Sequence, residues 1–242
     1  RTNMNKKPVI GIVGRFDKED EKKGETKKIG IGEYYIKMVN KYGGIPIGIL
    51  PTKEAIYNDL APKELGPLTE EEKEKLINVI SLCDGILMPG GNKWYEHDEF
   101  IAAYAHDHDI PVLGICMGMQ LMGYIDNKYS NASTDKTYYN QTERKHDQPG
   151  VNYVHPVKIE KGSILDTLLN KEIVNVNSRH NYNVGHVNNL KIAAISDDGL
   201  IEAIYDPNLT FYLGLQWHPE LMDVNGNDME NVIKEFIKKA SK

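Results

Sequence analysis

Residues 111–123 read Pro-Val-Leu-Gly-Ile-Cys-Met-Gly-Met-Gln-Leu-Met-Gly, and this stretch decides the fold. Its first half is apolar and typical of a buried strand, whereas its second half places apolar side chains at helical spacing. Cys116 stands between the two halves, flanked by Gly114 and Gly118. A strand, a sharp turn with one reactive side chain and a helix form a nucleophile elbow. The pattern therefore predicts that Cys116 is a nucleophile; the alternative is a buried cysteine of the core.

The two glycines and the helix have a physical role in such an elbow. Strand and helix backbones pass very close at the turn, so this position needs residues without a Cβ. A sulfur at the beginning of a helix also lies near unpaired N–H groups. Their dipoles favour the thiolate over the thiol, and the thiolate is the nucleophilic form.

Strands and helices alternate along the first half of the chain. Apolar runs predict buried strands at 8–14, 45–51 and 84–91. Helical spacing predicts helices at 32–42, 69–82 and 100–108, the second of them with a capping box at Thr69. This alternation implies an α/β fold, in which helices cover both faces of a doubly wound, mostly parallel sheet and make three layers.

The second half of the chain has a different pattern of predicted elements. Residues 124–150 are polar and aromatic with little periodicity, which predicts a loop. Strands are predicted at 151–159, 173–177, 190–195, 200–205 and 211–217, and helices at 162–169 and 228–240. Asp197-Asp198-Gly199 is typical of a hairpin turn. The short strands predict a smaller antiparallel β extension.

Residues 8–242 contain no repeat and no low-complexity linker, so they are predicted to form a single domain. Residues 1–7 are predicted to be a disordered N-terminus or a cloning remnant, because three residues precede Met4. The charge density of residues 17–28 predicts a mobile loop. Thr52 is a candidate cap for a helix over residues 55–60.

Composition restricts the class of protein. The net charge is -6 and no basic run stands out, so nothing favours nucleic-acid binding. Cys83 and Cys116 are too few for a disulfide framework and lack the spacing of a zinc site. This favours a reducing, cytoplasmic location. No apolar run is long enough to cross a membrane, so neither a membrane span nor a signal peptide is predicted.

A cysteine nucleophile requires a base, and Gln-Trp-His-Pro-Glu at 216–220 contains the best candidate. His218 precedes a proline, which favours an extended backbone, and side chains two residues apart then lie on the same side. Glu220 is therefore expected to hold one ring nitrogen of His218 and to leave the other for Cys116. The alternative is a loop histidine that packs under Trp217.

Met-Pro-Gly-Gly at 88–91 is a candidate oxyanion site. A glycine pair at the end of a buried strand leaves backbone N–H groups that can point into a cleft. Together with the N–H of Met117, such amides can bind the oxyanion of a tetrahedral intermediate. A glycine pair by itself is equally typical of a turn.

Three motifs, in this order and at these separations, resemble the class I glutamine amidotransferase family: Met-Pro-Gly-Gly, Gly-Ile-Cys-Met-Gly-Met-Gln and Gln-Trp-His-Pro-Glu. Val-His-Pro-Val at 154–157, Val-Asn-Ser-Arg-His at 176–180 and Gly-Leu-Ile-Glu-Ala-Ile at 199–204 resemble its γ-glutamyl-γ-aminobutyrate hydrolase (γ-glutamyl peptidase) branch. The resemblance covers nearly the whole chain from Pro8, and it implies a flavodoxin-like arrangement of the sheet.

The resemblance also implies the residues of the site. The implied catalytic triad is Cys116, His218 and Glu220, and the implied oxyanion amides belong to Gly91 and Met117. The implied substrate-binding residues are Gly90, Gln120, Asn177, Ser178 and His180. No metal and no cofactor are predicted, and His97, His106 and His108 are interpreted as a solvated helix face.

The implied activity is hydrolysis of a γ-glutamyl amide through a γ-glutamyl thioester on Cys116, which releases glutamate and an amine. The rival is a glutaminase component that delivers ammonia to a synthetase partner, and a third hypothesis is a non-catalytic binding module with the same fold. The expected partner is a small-molecule γ-glutamyl substrate rather than nucleic acid or a membrane, and a homodimer is compatible with this interpretation. Asn181 and Tyr182 replace a His-Gln pair common in that branch, which leaves the identity of the amine open.

Overall fold

The computed structural model describes residues 6–16, 28–53, 66–129, 146–222 and 229–241. Within these ranges the strands are β1 (Val9–Val13), β2 (Arg15–Phe16), β3 (Ile29–Gly30), β4 (Ile45–Ile49), β5 (Gly85–Met88), β6 (Val112–Ile115), β7 (His155–Ile159), β8 (Ile173–Val176), β9 (Lys191–Ser196), β10 (Ile201–Tyr205) and β11 (Tyr212–Leu215). The helices are α1 (Glu33–Lys41), α2 (Glu70–Ile80), α3 (Glu96–Asp107), α4 (Met117–Tyr129), α5 (Ile164–Leu169) and α6 (Met229–Ala240), and Pro219–Leu221 forms a 3₁₀ turn.

A nine-stranded sheet in the order β4-β1-β5-β6-β11-β10-β9-β7-β8 forms the centre of the described structure. The strands from β4 to β11 pair in parallel, and the pairings from β11 to β8 are antiparallel. The predicted α/β class is confirmed. The antiparallel extension continues the same sheet, because β11 pairs with a parallel neighbour on one side and an antiparallel neighbour on the other.

Burial differs between the two halves of the sheet. Every residue of β5 and β6 is buried, as expected for central parallel strands that helices cover on both faces. Burial alternates along β7 and β8, as expected for strands with one face on the core and one toward water. The hydrophobic pattern of each strand therefore matches its place in the sheet.

Two hydrophobic cores lie on opposite faces of the sheet. Leu87 of β5 belongs to one core, and its neighbour Ile86 belongs to the other, because successive side chains of a strand alternate in direction. Helices α1, α5 and α6 contribute to the first core, and α2, α3 and α4 to the second. This is the predicted three-layer arrangement. None of the helices in the described ranges is long and apolar enough to cross a membrane.

Helix α4 extends over residues 124–129, where the sequence predicted a loop. Asp126 is buried there, because its carboxylate accepts the N–H groups of Asn188 at 2.6 Å and Asn189 at 3.0 Å. Hydrogen bonds to a distant loop thus stabilise the last, polar turns of α4. The periodicity of the sequence around Asp126 does not reveal these bonds. Helix α3 also begins earlier than predicted, at Glu96.

Thr69 caps α2 as predicted. Its hydroxyl accepts the N–H of Glu72 at 3.2 Å, and the Glu72 carboxylate accepts the N–H of Thr69 at 2.8 Å. The Thr52 hydroxyl donates to the carbonyl of Glu72 at 2.9 Å. Four predicted features lie outside the described residues: 1–5 of the N-terminal extension, 17–27 of the charged loop, the helix over 55–60 and 130–145 of the long loop.

Gly118→Ala tests how closely α4 approaches the end of β5. A Cβ on Gly118 would overlap the carbonyl oxygen of Met88, which is a backbone atom and cannot turn aside. Alanine in a helix interior is normally more favourable than glycine by about 1 kcal/mol. Here we expect a loss of about 3 kcal/mol in the free energy of unfolding, the upper end of the cost of overpacking. Urea denaturation measures this difference.

The control is Gly30→Ala, because a Cβ at Gly30 meets no atom within 4 Å. Its free energy of unfolding should change by less than about 0.5 kcal/mol. A similar free energy of unfolding for the two variants would contradict the close approach at Gly118.

Candidate active site

Cys116 occupies a strained turn between β6 and α4. Its φ of 53° lies in the left-handed region, which residues other than glycine rarely adopt. Its N–H donates to the carbonyl of Leu215 at 2.7 Å, and its carbonyl accepts the N–H of Gln120 at 3.1 Å. The predicted strand, turn and helix are therefore present. Backbone strain at a single residue is typical of functional sites.

Two glycines make room for this turn. A Cβ on Gly118 would overlap the carbonyl oxygen of Met88 in β5, and a Cβ on Gly114 would overlap the sulfur of Met122 in α4. Side chains at these positions would push α4 away from the sheet. The close approach therefore requires both glycines, as the sequence predicted.

Strand β11 brings a second set of residues to Cys116. It pairs in parallel with β6, with Leu215 opposite Ile115, so the chain leaves both strands at the same edge of the sheet. His218 follows β11, and its Nδ1 lies 2.7 Å from Oε1 of Glu220. Both side chains are buried. Glu220 reaches His218 from a 3₁₀ turn, and not from the extended backbone that the sequence predicted.

His218 and Cys116 meet beside Gly90. A Cβ built on Gly90 would lie 2.9 Å from Cε1 of His218 and 3.5 Å from Cβ of Cys116. Burial opposes a charge on His218, but the charges of Glu220 and Cys116 outweigh burial and raise the pKa of His218. The Cys116 sulfur also lies 3.9 Å from the carbonyl oxygen of Arg179. The arrangement favours an imidazolium next to the sulfur.

Arg15 is a residue of the site that the sequence did not identify. Its guanidinium donates to the carbonyls of Pro89 at 2.9 Å and Gly90 at 3.3 Å, and it forms an ion pair with buried Asp98. A Cβ on Gly91 would lie 3.1 Å from Cδ of Arg15. Arg15 therefore fixes the backbone of the glycine pair. Its only signal in the sequence is its position just after an apolar strand.

Tyr35 of α1 is a second such residue. Its hydroxyl accepts the N–H of Gly90 at 3.0 Å. Burial, and then the charge of Glu220, raises the pKa of Tyr35 well above its usual value, so the phenol remains protonated. The Gly90 amide, which was predicted to contact substrate, thus has an acceptor within the protein.

Two residues predicted to bind substrate hold other parts of the site. Asn177 donates from Nδ2 to the carbonyl of His218 and accepts the N–H of His218 at Oδ1, each at 2.8 Å. Gln120 donates from Nε2 to the carbonyl of Tyr182 at 2.7 Å and to Oε1 of Gln216 at 3.2 Å. Asn177 therefore positions the backbone of His218, which is a role that the sequence did not reveal.

Ser178 and His180, also predicted to bind substrate, have buried side chains with protein partners. Oγ of Ser178 lies 3.1 Å from Nδ1 of His146, and Nδ1 of His180 donates to the carbonyl of Tyr182 at 2.9 Å. Nε2 of His180 lies 3.5 Å from Oε1 of Glu202. These two side chains thus belong to a buried histidine cluster.

The prediction of a solvated histidine face on α3 is wrong for His97. This residue is 2 % exposed and lies 3.5 Å from Asp98, and burial lowers its pKa. His108 is exposed, in agreement with the prediction, whereas His106 is half-buried and its Nε2 lies 2.9 Å from Oδ2 of Asp206. The error arises because the predicted helix begins at residue 100, whereas α3 begins at Glu96. The first turn of α3, which contains His97, faces the protein interior.

Comparison with solved structures identifies the fold. The Trypanosoma brucei CTPS glutaminase domain with bound acivicin matches with a TM-score of 0.62 and 23% sequence identity, over 96% of this chain and 93% of that chain. A likeness of this extent shows the fold, which is that of class I glutamine amidotransferase-like proteins.

Sequence comparison defines the family. The glutamine amidotransferase-like protein RP404 of Rickettsia prowazekii is 28% identical over 99% of each chain. CTP synthase of Chlamydia trachomatis serovar L2 is 28% identical over 84% of this chain and 41% of its own length, so the chain spans less than half of that relative. The Peptidase C26 family model matches residues 95–220, just over half of the chain. The chain therefore belongs to the peptidase C26 family, and it is a hydrolase of the glutamine amidotransferase type.

Glu220→Gln should lower the pKa of His218, because the amide can keep the hydrogen bond but removes a charge that raises this pKa. An NMR titration of the His218 ring measures the shift. A pKa raised by folding means that protonated His218 stabilises the native state, and that this contribution is lost as the pH rises through the folded-state pKa. Stability of the unmodified protein should therefore fall more steeply at alkaline pH than stability of the variant.

The control is Glu172→Gln, which removes an exposed carboxylate before β8. It should leave the His218 titration unchanged. If Glu220→Gln also left it unchanged, Glu220 would not be the group that raises the pKa.

Proposed function

We propose that this chain hydrolyses a γ-glutamyl amide bond, with Cys116 as the nucleophile, His218 as general acid and base, and Glu220 as the residue that orients His218. The observation that carries the proposal is the buried 2.7 Å pair of His218 and Glu220 beside a cysteine at a strained elbow. Covalent acyl transfer needs a nucleophile, a base and an orienting group in this relation. Membership of the peptidase C26 family supports it.

The reaction follows from these groups. The Cys116 thiolate attacks the γ-carbonyl carbon, and the carbonyl oxygen becomes an oxyanion. His218 donates its proton to the leaving amine, and a γ-glutamyl thioester remains on Cys116. Neutral His218 then takes a proton from water, and the resulting hydroxide releases glutamate and restores the thiolate and the imidazolium.

The backbone amides of Gly91 and Met117 are proposed to bind the oxyanion. A Cβ on Gly91 would lie 2.9 Å from Cε of Met117, so the two residues are neighbours. Among the hydrogen bonds of the described residues, none has either amide as its donor. Arg15 holds the carbonyls of the preceding loop and so keeps the Gly91 amide preorganised, which is the condition for strong transition-state stabilisation.

Gln120 is proposed to bind the γ-glutamyl part of the substrate. Its Nε2 is already held by the carbonyl of Tyr182 and by Gln216, so the orientation of its carboxamide is fixed. A fixed carboxamide presents its oxygen as an acceptor, which suits the α-ammonium group of a γ-glutamyl substrate. Asn177 acts on the same reaction indirectly, because it holds the backbone of His218.

A glutaminase component that delivers ammonia to a synthetase partner is a second candidate function with comparable support. The match to less than half of a CTP synthase and to a CTPS glutaminase domain favours it. The two functions share the thioester on Cys116. They differ in the amine released and in the need for a partner.

Turnover of a substrate panel by the purified chain distinguishes these candidates. We expect hydrolysis of γ-glutamyl amines without any partner. Glutamine hydrolysis that arises only after a synthetase is added would favour the second function instead. Tyr182 is half exposed next to Gln120, and it stands where related hydrolases carry a polar residue, so we expect a preference shifted away from the acidic amine γ-aminobutyrate.

The shift from one pocket contact should be modest, about 1–3 kcal/mol in transition-state binding. Comparing kcat/KM across the panel for the unmodified chain and for Tyr182→Gln measures it. A strong preference for γ-glutamyl-γ-aminobutyrate that Tyr182→Gln leaves unchanged would show that Tyr182 does not set the choice of amine.

Cys116→Ala should abolish turnover and keep the fold. The loss in kcat should be on the order of 10³-fold or more, because the members of a triad act as a unit. Cys83→Ala is the matched control: burial raises the pKa of Cys83 to about 11, so its thiol remains protonated and unreactive at neutral pH. Mass spectrometry of substrate-treated protein should find the thioester on Cys116 only. Ordinary turnover by Cys116→Ala would exclude it as the nucleophile.

A further inference from the structure

Three histidines and one glutamate form a buried cluster outside the proposed triad. His146 lies before β7, His155 begins β7, His180 follows β8 and Glu202 lies in β10. Their side-chain nitrogen and oxygen atoms lie within 4.8 Å of one another, and all four residues are buried. These residues come from separate parts of the antiparallel half of the sheet, so only the tertiary structure brings them together.

The distances from Glu202 to the three histidines are longer than hydrogen bonds and close to the separation of two ligands on one metal ion. Oε1 of Glu202 lies 3.5 Å from Nε2 of His180 and 3.7 Å from both Nε2 of His155 and Nδ1 of His146. Hydrogen bonds between such groups measure about 2.7–3.2 Å. Ligands about 2.0–2.1 Å from a tetrahedral ion are roughly 3.4 Å from one another.

Hydrogen bonds outside the cluster fix which ring nitrogens carry protons. Nδ1 of His155 lies 3.1 Å from the carbonyl of Pro156, and Nδ1 of His180 lies 2.9 Å from the carbonyl of Tyr182. A carbonyl only accepts, so both Nδ1 atoms donate, and the neutral rings present Nε2 lone pairs to the cluster. Histidine ligands of metals show this pattern, with the second nitrogen bonded to a carbonyl or a carboxylate.

His146 follows the same pattern with its nitrogens exchanged. Nε2 of His146 lies 2.9 Å from Oδ2 of Asp198, so Nε2 donates to the carboxylate. Nδ1 is then an acceptor. It faces Glu202 at 3.7 Å and has the Ser178 hydroxyl at 3.1 Å. His155 and His180 therefore present Nε2 lone pairs to Glu202, and the Nδ1 lone pair of His146 faces both Glu202 and the Ser178 hydroxyl.

In this arrangement, hydrogen-bond acceptors of the histidines face the carboxylate oxygens of Glu202, which are also acceptors. Among the described residues, Nε2 of His155, Nε2 of His180 and both carboxylate oxygens of Glu202 are buried without a hydrogen-bond partner. A fully buried carboxylate without a hydrogen bond is strongly unfavourable. A cation at the centre of the cluster would bind the Nε2 lone pairs of His155 and His180 and one carboxylate oxygen of Glu202, and its charge would stabilise the buried carboxylate.

We infer that His146, His155, His180 and Glu202 form a binding site for one divalent transition-metal ion, with Zn²⁺ as the best fit. Three imidazole nitrogens and one carboxylate oxygen are ligands that Zn²⁺ accepts, and tetrahedral coordination needs no others. Four protein ligands leave no open position, which is the mark of a structural site. This inference departs from the sequence-based prediction of no metal, and it does not depend on the proposed reaction.

The metal site would hold one wall of the candidate active site. His180 belongs to residues 177–182, in which Asn177 holds the backbone of His218 and the Arg179 carbonyl lies 3.9 Å from the Cys116 sulfur. His180 also bonds the same Tyr182 carbonyl that holds Gln120. Coordination of His180 would therefore anchor this segment to β7 and β10.

Metal analysis of the untagged full chain tests the inference. After dialysis against a chelator and reloading with Zn²⁺ or Co²⁺, mass spectrometry of the bound metal should give one ion per chain. The Co²⁺ form should show the strong visible absorption of tetrahedral cobalt, and Zn²⁺ should raise the Tm of the chelator-treated chain. Failure of the unmodified chain to bind stoichiometric metal would overturn the site, whatever its activity on γ-glutamyl substrates.

Variants decide whether these four residues are the ligands. Glu202→Gln and, independently, His155→Gln should weaken metal binding by at least about 100-fold, the upper end of what loss of an outer partner of a ligand costs. His97→Gln is the matched control, because His97 is equally buried and also lies beside a carboxylate, but outside the cluster. It should retain one ion and the cobalt spectrum. If one of the two ligand variants does not fold, the other decides, and unchanged metal affinity there would overturn the assignment.

Discussion

The close approach of α4 to the end of β5 is the constraint on which the rest of the structure depends. The backbone of Gly118 lies against the carbonyl of Met88, with no room for a Cβ between them. This contact forces the chain to turn sharply at Cys116, which takes up a left-handed conformation although it is not a glycine. The cost of that conformation, of order 1–3 kcal/mol, is met by packing on both sides of the turn. The Cys116 sulfur therefore lies at the edge of the sheet where β6 and β11 both end.

The charged side chains at that edge of the sheet form two pairs of opposite charge. Glu220 faces His218, and Arg15 faces the fully buried Asp98. The first pair favours an imidazolium close to Cys116. The pair of Arg15 and Asp98 positions the backbone, because Arg15 also donates to two carbonyls of the loop after β5. Buried charges of this kind contribute less to stability than to the accurate placement of groups, since their desolvation offsets much of their attraction.

Residues 177–182 connect the two halves of the sheet. Asn177 binds both backbone groups of His218, and the Tyr182 carbonyl accepts from Gln120 on α4. On its other side this segment contributes Ser178 and His180 to the buried histidine cluster. The antiparallel strands therefore support the candidate site, although the elbow itself belongs to the parallel half.

The sequence by itself determined the features that depend on residues close together in the chain. The elbow around Cys116, the Thr69 capping box and the alternation of strands and helices in the first half all depend on residues near one another in the chain, and the structure contains them. The pairing of His218 with Glu220 was also predictable, because only one residue separates them. The resemblance of three motifs extended these local signals to the fold of the whole chain.

Only the tertiary structure decided the rest, because the deciding contacts join residues far apart in the chain. Asp126 is helical through its bonds to Asn188 and Asn189, and Arg15 reaches the glycine pair across the sheet edge. The buried cluster joins four separate segments. In the sequence each of these is a polar residue, and nothing near it in the chain identifies its partner. Their burial follows from partners that only the assembled sheet provides.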